Sequence, residues 1–182
     1  MSDNGKKKSI DLKILHIGDS NVGKTTLLLK YLKGEFIMNL DITWRGVNLF
    51  RKMIEINRPS DELINYFINI WDIAGSDYYL DFFSLITEPM NAIIIQVNAG
   101  KADDIEYSVS KWIKIIENFV SSDFLKFLLI IDKENEKIID HEMYNLIQKF
   151  KIAKFFLIDA KNTDQVNKAF EQIFDSIIAQ NQ

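Results

Sequence analysis

One eight-residue segment near the start of the chain constrains fold and chemistry more than any other part of the sequence. Residues 18–25 read Gly-Asp-Ser-Asn-Val-Gly-Lys-Thr and match the pattern G-x-x-x-x-G-K-[ST] without a mismatch. In such a loop the backbone N–H groups surround phosphate groups, and the following helix points its positive end at them. The pattern places the ammonium of Lys24 at the β- and γ-phosphates and the hydroxyl of Thr25 at Mg²⁺. The alternative is a glycine-rich turn without chemical function, which a position between a strand and a helix disfavours.

Short apolar runs alternate with amphipathic patterns along the rest of the chain. The runs predict strands at residues 10–17, 45–57, 62–71, 91–97, 125–131 and 155–158. Helical spacing of apolar residues predicts helices at residues 25–33, 105–116, 140–150 and 164–179. A turn at residues 57–61 joins the second and third strands as a hairpin. The alternation predicts an α/β fold of the P-loop NTPase type, with a six-stranded, mostly parallel sheet, one antiparallel edge strand and helices on both faces.

Length and composition narrow the class of protein. The 182 residues suit one domain, which we expect at residues 10–182 after a flexible tail at residues 1–9. A formal net charge of -4 argues against a nucleic-acid groove. The sequence has no cysteine, which excludes disulfides, thiolate metal sites, a cysteine nucleophile and a prenyl or palmitoyl anchor on this chain. The apolar runs are far shorter than the ~20 residues that span a bilayer, so we expect a cytoplasmic protein, and a monomer.

A second motif closes the predicted third strand. Residues 71–75 read Trp-Asp-Ile-Ala-Gly and contain the pattern D-x-x-G. The carboxylate of Asp72 can hold Mg²⁺ through water, and the N–H of Gly75 can meet a γ-phosphate. Lys133 and the pair Ala160-Lys161 follow the last two predicted strands. Each of these residues would carry little weight alone, but all of them follow strands of one predicted sheet.

Taken together, the motifs resemble those of the Ras superfamily of small GTPases, and of its Rab family most closely. Gly18-Asp19-Ser20, Trp71-Asp72-x-Ala74-Gly75 and Ala160-Lys161-Asn162 carry the resemblance, which covers residues 10–178. Thr43 lies where the family keeps a threonine that contacts Mg²⁺ and the γ-phosphate. Phe36 lies where the family keeps an aromatic ring on the guanine, although packing in the core is the alternative for this ring.

The resemblance implies a GTPase that binds GTP or GDP with Mg²⁺ and hydrolyses GTP slowly, as a switch in vesicle trafficking. It implies that effector or regulator proteins bind the switch segments 36–45 and 74–86. The implied metal ligands are Thr25, Thr43 and Asp72, and the implied catalytic residues are Lys24, Thr43 and Gly75. The implied nucleotide-binding residues are Ser20, Asn21, Val22, Gly23, Lys24, Thr25, Thr26, Phe36, Asp132, Lys133, Asn135, Asp159, Ala160 and Lys161.

Several positions depart from the family pattern. Ser76 stands where the family has the glutamine that orients the attacking water. The guanine motif N-K-x-D reads Asp-Lys-Glu-Asn at residues 132–135, and Asp159 replaces the serine of the purine loop. Asn21 occupies a P-loop position that is usually glycine or a small residue.

These departures keep a second hypothesis open, a pseudo-GTPase that serves as an interaction module without turnover. A P-loop kinase would need basic lid residues, but the three arginines, Arg45, Arg51 and Arg58, all lie in the hairpin region. The aromatic residues Tyr78, Tyr79, Phe82 and Phe83 suit either a partner site or inward packing. We expect His16 and His141 to be structural or solvated.

Overall fold

The computed structural model describes residues 8–32, 40–44, 46–58, 63–76, 83, 90–99, 102–120, 123–132 and 141–181. Segments rich in β-branched and aromatic residues form the strands. The strands are β1 Lys8–Ile17, β2 Leu40–Trp44, β3 Val47–Asn57, β4 Leu63–Ile73, β5 Ala92–Asn98, β6 Leu125–Ile131 and β7 Lys154–Ile158. The described helices are α1 Lys24–Leu32, α2 Ala102–Glu117, α3 His141–Lys149 and α4 Thr163–Gln180.

The strands form one sheet in the order β2-β3-β4-β1-β5-β6-β7. Strands β4, β1, β5, β6 and β7 run parallel, and β3 pairs antiparallel with β4 along the predicted hairpin. This confirms the predicted α/β class and the six predicted strands. The structure adds a seventh, β2, which extends the antiparallel edge by pairing with β3. The five residues of β2 lie inside the predicted switch segment 36–45. This segment has no long alternation of apolar and polar residues that would predict a strand.

Helices cover both faces of the sheet, as the sequence predicts. On one face, α1 and α4 bury side chains such as Leu28 and Phe170 against the strands. On the other face, α2 and α3 bury Trp112 and Met143. None of the described helices is both long and apolar enough to cross a membrane. The predicted element boundaries differ from the observed ones by a few residues, and β1 begins at Lys8, inside the predicted tail at residues 1–9.

The parallel strands place the motifs at the side of the sheet where the carboxyl ends of these strands lie. The loop at residues 18–23 follows β1, and Asp72 lies near the carboxyl end of β4, next to His16 of β1 in the sheet register. Asp132 follows β6, and Asp159 follows β7. Ligand sites of open α/β sheets lie at the carboxyl ends of the strands, so the topology assembles the predicted site residues at that side.

Candidate functional site

The loop between β1 and α1 has a backbone that few residue types allow. Gly18 has a φ of +148°, and a Cβ there would lie 2.1 Å from the carbonyl oxygen of Gln96. Asn21 has a φ of +63°, a region that asparagine enters more readily than most non-glycine residues. This backbone explains why asparagine can occupy a position where a glycine or a small residue is expected.

Lys24, the first residue of α1, is held inside this loop. Its Nζ donates hydrogen bonds to the carbonyl oxygens of Gly18 and Asp19, both at 2.8 Å. The side chain is buried. Burial lowers the pKa of the Lys24 ammonium, although the carboxylates of Asp72 and Asp19 act in the opposite direction. Carbonyl groups of the loop therefore hold the ammonium of Lys24.

The next residue meets the D-x-x-G motif directly. The hydroxyl of Thr25 donates a hydrogen bond to Oδ2 of Asp72. Asn48 Nδ2 lies 3.4 Å from the same oxygen, and His16 Nδ1 lies 3.3 Å from Oδ1. Burial by itself raises the pKa of the Asp72 carboxyl, but its contacts with His16, Thr25 and Asn48 outweigh burial and hold the pKa below the ordinary value. Asp72 of β4 therefore places a buried carboxylate beside the first residues of α1.

The oxygen atoms at this point suit Mg²⁺. A hydroxyl and a carboxylate are hard oxygen donors of the kind that Mg²⁺ accepts. Oδ2 of Asp72 lies beside the Thr25 hydroxyl, so it is the carboxylate oxygen that is placed to accept a metal-bound water. Oδ1 is buried and faces His16. Thr25 and Asp72 therefore fit the predicted ion, while the side chain of Thr43 lies outside the described residues.

The two motifs also pack backbone to backbone. A Cβ on Gly75 would lie 2.3 Å from the carbonyl oxygen of Gly18 and 2.4 Å from the backbone nitrogen of Ser20. The hydroxyl of Ser20 donates to the carbonyl oxygen of Gly75 at 2.9 Å. Only glycine allows this approach, so the backbone of Gly75 lies against the loop. The next side chain, Ser76, is exposed.

The loop is also tied to α2. The carboxylate of Asp19 accepts hydrogen bonds from Ser108 Oγ at 2.6 Å and from Trp112 Nε1 at 3.1 Å. Lys111 Nζ lies 3.9 Å from the same carboxylate. The second residue of the motif therefore anchors the loop to the helix beside it.

The opposite end of the site is built on the loop after β7. Oδ1 of Asp159 accepts a hydrogen bond from the N–H of Lys161 at 2.8 Å. Nζ of Lys30, on α1, donates to the carbonyl oxygens of Ala160 and Lys161, both at 2.7 Å. Asn162 caps α4 by accepting from two N–H groups of its first turn. This loop is therefore shaped by local contacts and by one lysine from α1.

Comparisons with known proteins agree with this geometry. The sequence model described as the Ras family matches residues 13–179 of the chain. The chain belongs to the Ras family. Proteins similar to it include several Rab-type proteins, which confirms the Rab resemblance.

Three of these relatives show how far the similarity extends. Ras-related protein Rab-18-B of Danio rerio is 29% identical in an alignment of 170 positions that covers 92% of this chain and 79% of that protein. Ypt/Rab-type GTPase YPT7 of Saccharomyces cerevisiae is 26% identical in an alignment of 185 positions that covers 97% of this chain and 86% of that protein. Ras-related protein Rab-26 of Rattus norvegicus is 24% identical over 90% of this chain, which spans only 62% of that protein.

This Ras-family chain brings most of its predicted site residues to one edge of the sheet. The described members are Ser20, Asn21, Val22, Gly23, Lys24, Thr25, Thr26, Asp72, Gly75, Asp132, Asp159, Ala160 and Lys161. Phe36, Lys133, Asn135 and the side chain of Thr43 lie outside the described residues. Of the aromatic run after the D-x-x-G motif, only Phe83 is described. Its ring is buried and stacks on Phe119 at 6.0 Å between centroids, as inward packing predicts.

The sequence patterns leave out two contributors to the site of this Ras-family member, because they give Gln96 no role and Lys30 no role beyond its helix. The prediction that His16 is structural or solvated agrees with its complete burial. His16 and Gln96 each interrupt an apolar run close to the carboxyl end of a strand. A polar residue at such a place is the signal that could have found both, because buried polar groups need partners.

Proposed function

We propose that the chain is a Rab-like small GTPase that binds GTP and GDP with Mg²⁺ and hydrolyses GTP slowly, as a nucleotide-dependent switch in vesicle trafficking. One observation carries the proposal: the Thr25 hydroxyl and the buried Asp72 carboxylate meet beside the buried ammonium of Lys24. A structural turn would not need a buried cation, a buried carboxylate and a strained loop at the start of a helix. Relatives named as Rab proteins and as a Ypt/Rab-type GTPase support the same function.

Different residues of the site would bind the phosphate groups and the metal ion. The N–H groups of residues 20–26 would donate to phosphate oxygens, and the helix dipole of α1 favours negative charge there. Lys24, now bonded to two loop carbonyls, would donate to the β- and γ-phosphates. Thr25 and Asp72 would hold Mg²⁺, together with Thr43 as the family pattern implies. When bound, the ion neutralises charge that develops on the transferred phosphoryl group.

The base would lie at the opposite end of the site. Asp132, Lys133 and Asn135 would face it, with Phe36 and the loop 159–161 around it, as the family pattern implies. The segments 36–45 and 74–86 would change order with the γ-phosphate and present themselves to effectors or regulators. We expect the protein to act as a cytoplasmic monomer.

The purified protein itself tests the proposal. Nucleotide released by denaturation should be GDP or GTP at close to one per chain, identified by ion-exchange chromatography and mass spectrometry. Chelation of Mg²⁺ should speed the release of bound nucleotide, because the ion links the phosphates to Thr25 and Asp72. Protein that copurifies without nucleotide, and that binds none in calorimetry, would contradict the proposal.

A nucleotide-binding pseudo-GTPase is the second candidate, and Ser76 favours it. The side chain of Ser76 is too short to orient water as a glutamine can. We expect single-turnover hydrolysis at or below ~10⁻³–10⁻⁴ s⁻¹, the scale of unassisted small GTPases. The variant Ser76→Gln should raise that rate about 5–10-fold, the value of roughly one hydrogen bond. If the wild type exceeds ~10⁻² s⁻¹, or if Ser76→Gln leaves the rate unchanged, this role of residue 76 is refuted.

A further inference from the structure

Three polar side chains lie buried beneath the phosphate loop, on three adjacent strands. Asp72 is on β4, His16 on β1 and Gln96 on β5, and each is at most 1% exposed. Their strand neighbours are apolar, and all but Trp71 are fully or almost fully buried, as Leu15 and Ile95 illustrate. Burial of polar side chains in an apolar sheet is costly unless they bind one another, so their contacts require an explanation.

The three side chains form a chain of contacts that ends on the loop. Gln96 Nε2 donates to the carbonyl oxygen of Val22 at 2.7 Å. This bond assigns the other amide atom of Gln96, Oε1, as the acceptor 3.0 Å from His16 Nε2. The opposite ring atom of His16, Nδ1, lies 3.3 Å from Oδ1 of Asp72. Gln96 thereby directs the Nε2–H of the imidazole at its own oxygen, and Nδ1 faces the carboxylate, to which it donates when both ring nitrogens carry a proton.

Gln96 also supports the loop through its backbone. Its carbonyl oxygen would be only 2.1 Å from a Cβ on Gly18, the first residue of the motif. Gln96 therefore touches the loop at Gly18 through its backbone and at Val22 through its side chain. The loop therefore packs on Gln96 of β5, and Asp72 lies on β4, on the other side of β1.

We propose that Gln96 and His16 are positioning residues that hold Asp72 at a fixed place relative to the phosphate loop and thereby set the Mg²⁺ affinity of the nucleotide site. The inference rests on the proposed function. Neither residue is among those proposed to contact the nucleotide or the ion. They act through Asp72 and through the carbonyl group of Val22. Groups that orient a metal ligand typically change metal affinity by about 10–100-fold when they are removed.

Nucleotide release as a function of Mg²⁺ concentration tests the proposal. The variant Gln96→Met removes the amide and keeps the length of the side chain. With a fluorescent GDP analogue bound, the Mg²⁺ concentration that gives half-maximal slowing of release should rise about 10–100-fold in this variant. The release rate in excess chelator should change far less, because the ion no longer contributes there.

Asn65→Leu is the matched control. Asn65 is a buried amide on β4, seven residues before Asp72, so it lies about 23 Å along the strand from Asp72. Both variants lose a buried amide, but only Gln96→Met should shift the Mg²⁺ midpoint. The variant His16→Leu breaks the same chain of contacts at its other member and should shift the midpoint in the same direction. It also supplies the test if Gln96→Met does not fold.

The wild-type titration separates the two levels of inference. If wild-type release does not depend on Mg²⁺, the proposed function fails and this inference fails with it. If wild-type release is slowed by Mg²⁺ and a folded Gln96→Met or His16→Leu variant keeps the wild-type midpoint, the positioning role is refuted while the proposed function stands. A midpoint shift of the same size in Asn65→Leu would also refute it, because a general loss of stability would then explain the effect.

Discussion

The two ends of the candidate site are held together in different ways: the phosphate end, which is the loop 18–25 with Asp72 and is proposed to bind phosphate, and the base end, which is Asp132 with the loop 159–161 and is proposed to face the base. At the phosphate end, His16, Lys24, Asp72 and Gln96 are four of the six polar or charged side chains that are buried among the described residues. They contact one another or the loop backbone from four separate elements. The described base end has one of the six, Asp132, and the loop 159–161 is half-buried or exposed. Local hydrogen bonds and a lysine on α1 shape that loop.

This difference predicts which end of the site tolerates amino-acid substitutions. A buried polar group that loses its partner retains the full cost of its desolvation, whereas an exposed group can bond to water instead. Substitutions at the phosphate end should therefore act on nucleotide and metal binding strongly and together. Substitutions in the described loop of the base end should act weakly, or on base selectivity alone.

Two lysines of α1 give the largest expected contrast. Lys24 donates to two carbonyls of the phosphate loop, and Lys30 donates to two carbonyls of the loop after β7. Lys24→Ala should weaken GDP binding by ~100-fold or more, because it removes charged hydrogen bonds to phosphate worth about 1.5–3 kcal/mol each. Lys30→Ala should weaken binding by less than ~10-fold, because water can replace its bonds. Calorimetric titration with GDP measures both variants, and equal losses would contradict the difference between the two ends.

Base selectivity gives an intermediate effect. In the family pattern a carboxylate accepts two hydrogen bonds from guanine, and Asn135 offers one acceptor and one donor in its place. A donor facing the 2-amino group costs about 1–3 kcal/mol, or roughly 5–150-fold in affinity. Competition between GDP and XDP should therefore show weak discrimination, and Asn135→Asp should shift the preference towards GDP by that factor.

Two carboxylates at the proposed base end, Asp132 and Asp159, could supply the missing acceptors. Oδ1 of Asp159 already accepts from the N–H of Lys161, which favours a role in shaping the loop. If the wild type prefers GDP to XDP by many orders of magnitude, weakened discrimination is refuted. Asp132 and Asp159 would then be the residues to replace.

The helix cap at the base end should give the smallest effect. Asn162 Oδ1 accepts from the N–H groups of Asp164 and Gln165 at 3.1 and 3.2 Å. Asn162→Ala should destabilise the fold by about 1 kcal/mol, a fall of roughly 2–4 °C in Tm for a chain of this size. Asn162→Asp keeps the cap and serves as the control in a thermal melt. A changed Mg²⁺ midpoint in Asn162→Ala would show that the two ends are coupled after all.

Much of the fold could be predicted because its signals are local. The hairpin of β3 and β4 follows from alternating apolar residues around a turn, and the buried strand β5 follows from its apolar run. The phosphate loop and the D-x-x-G motif are contiguous segments, so their residue types alone indicate their chemistry. The strand β2 was not predicted, because its five residues pair only with β3 and carry no strong pattern of their own.

The sequence by itself determined the family and the place of the loop between β1 and α1, and it indicated candidate roles for Lys24, Thr25 and Asp72. The tertiary structure alone decided that His16 would lie between Asp72 and Gln96, which is 80 positions away from it in the chain. The physical reason is that the strand order β4-β1-β5 sets which side chains become neighbours across the sheet. A polar residue in an apolar strand indicates that a partner is required, and only the packing of distant strands supplies it.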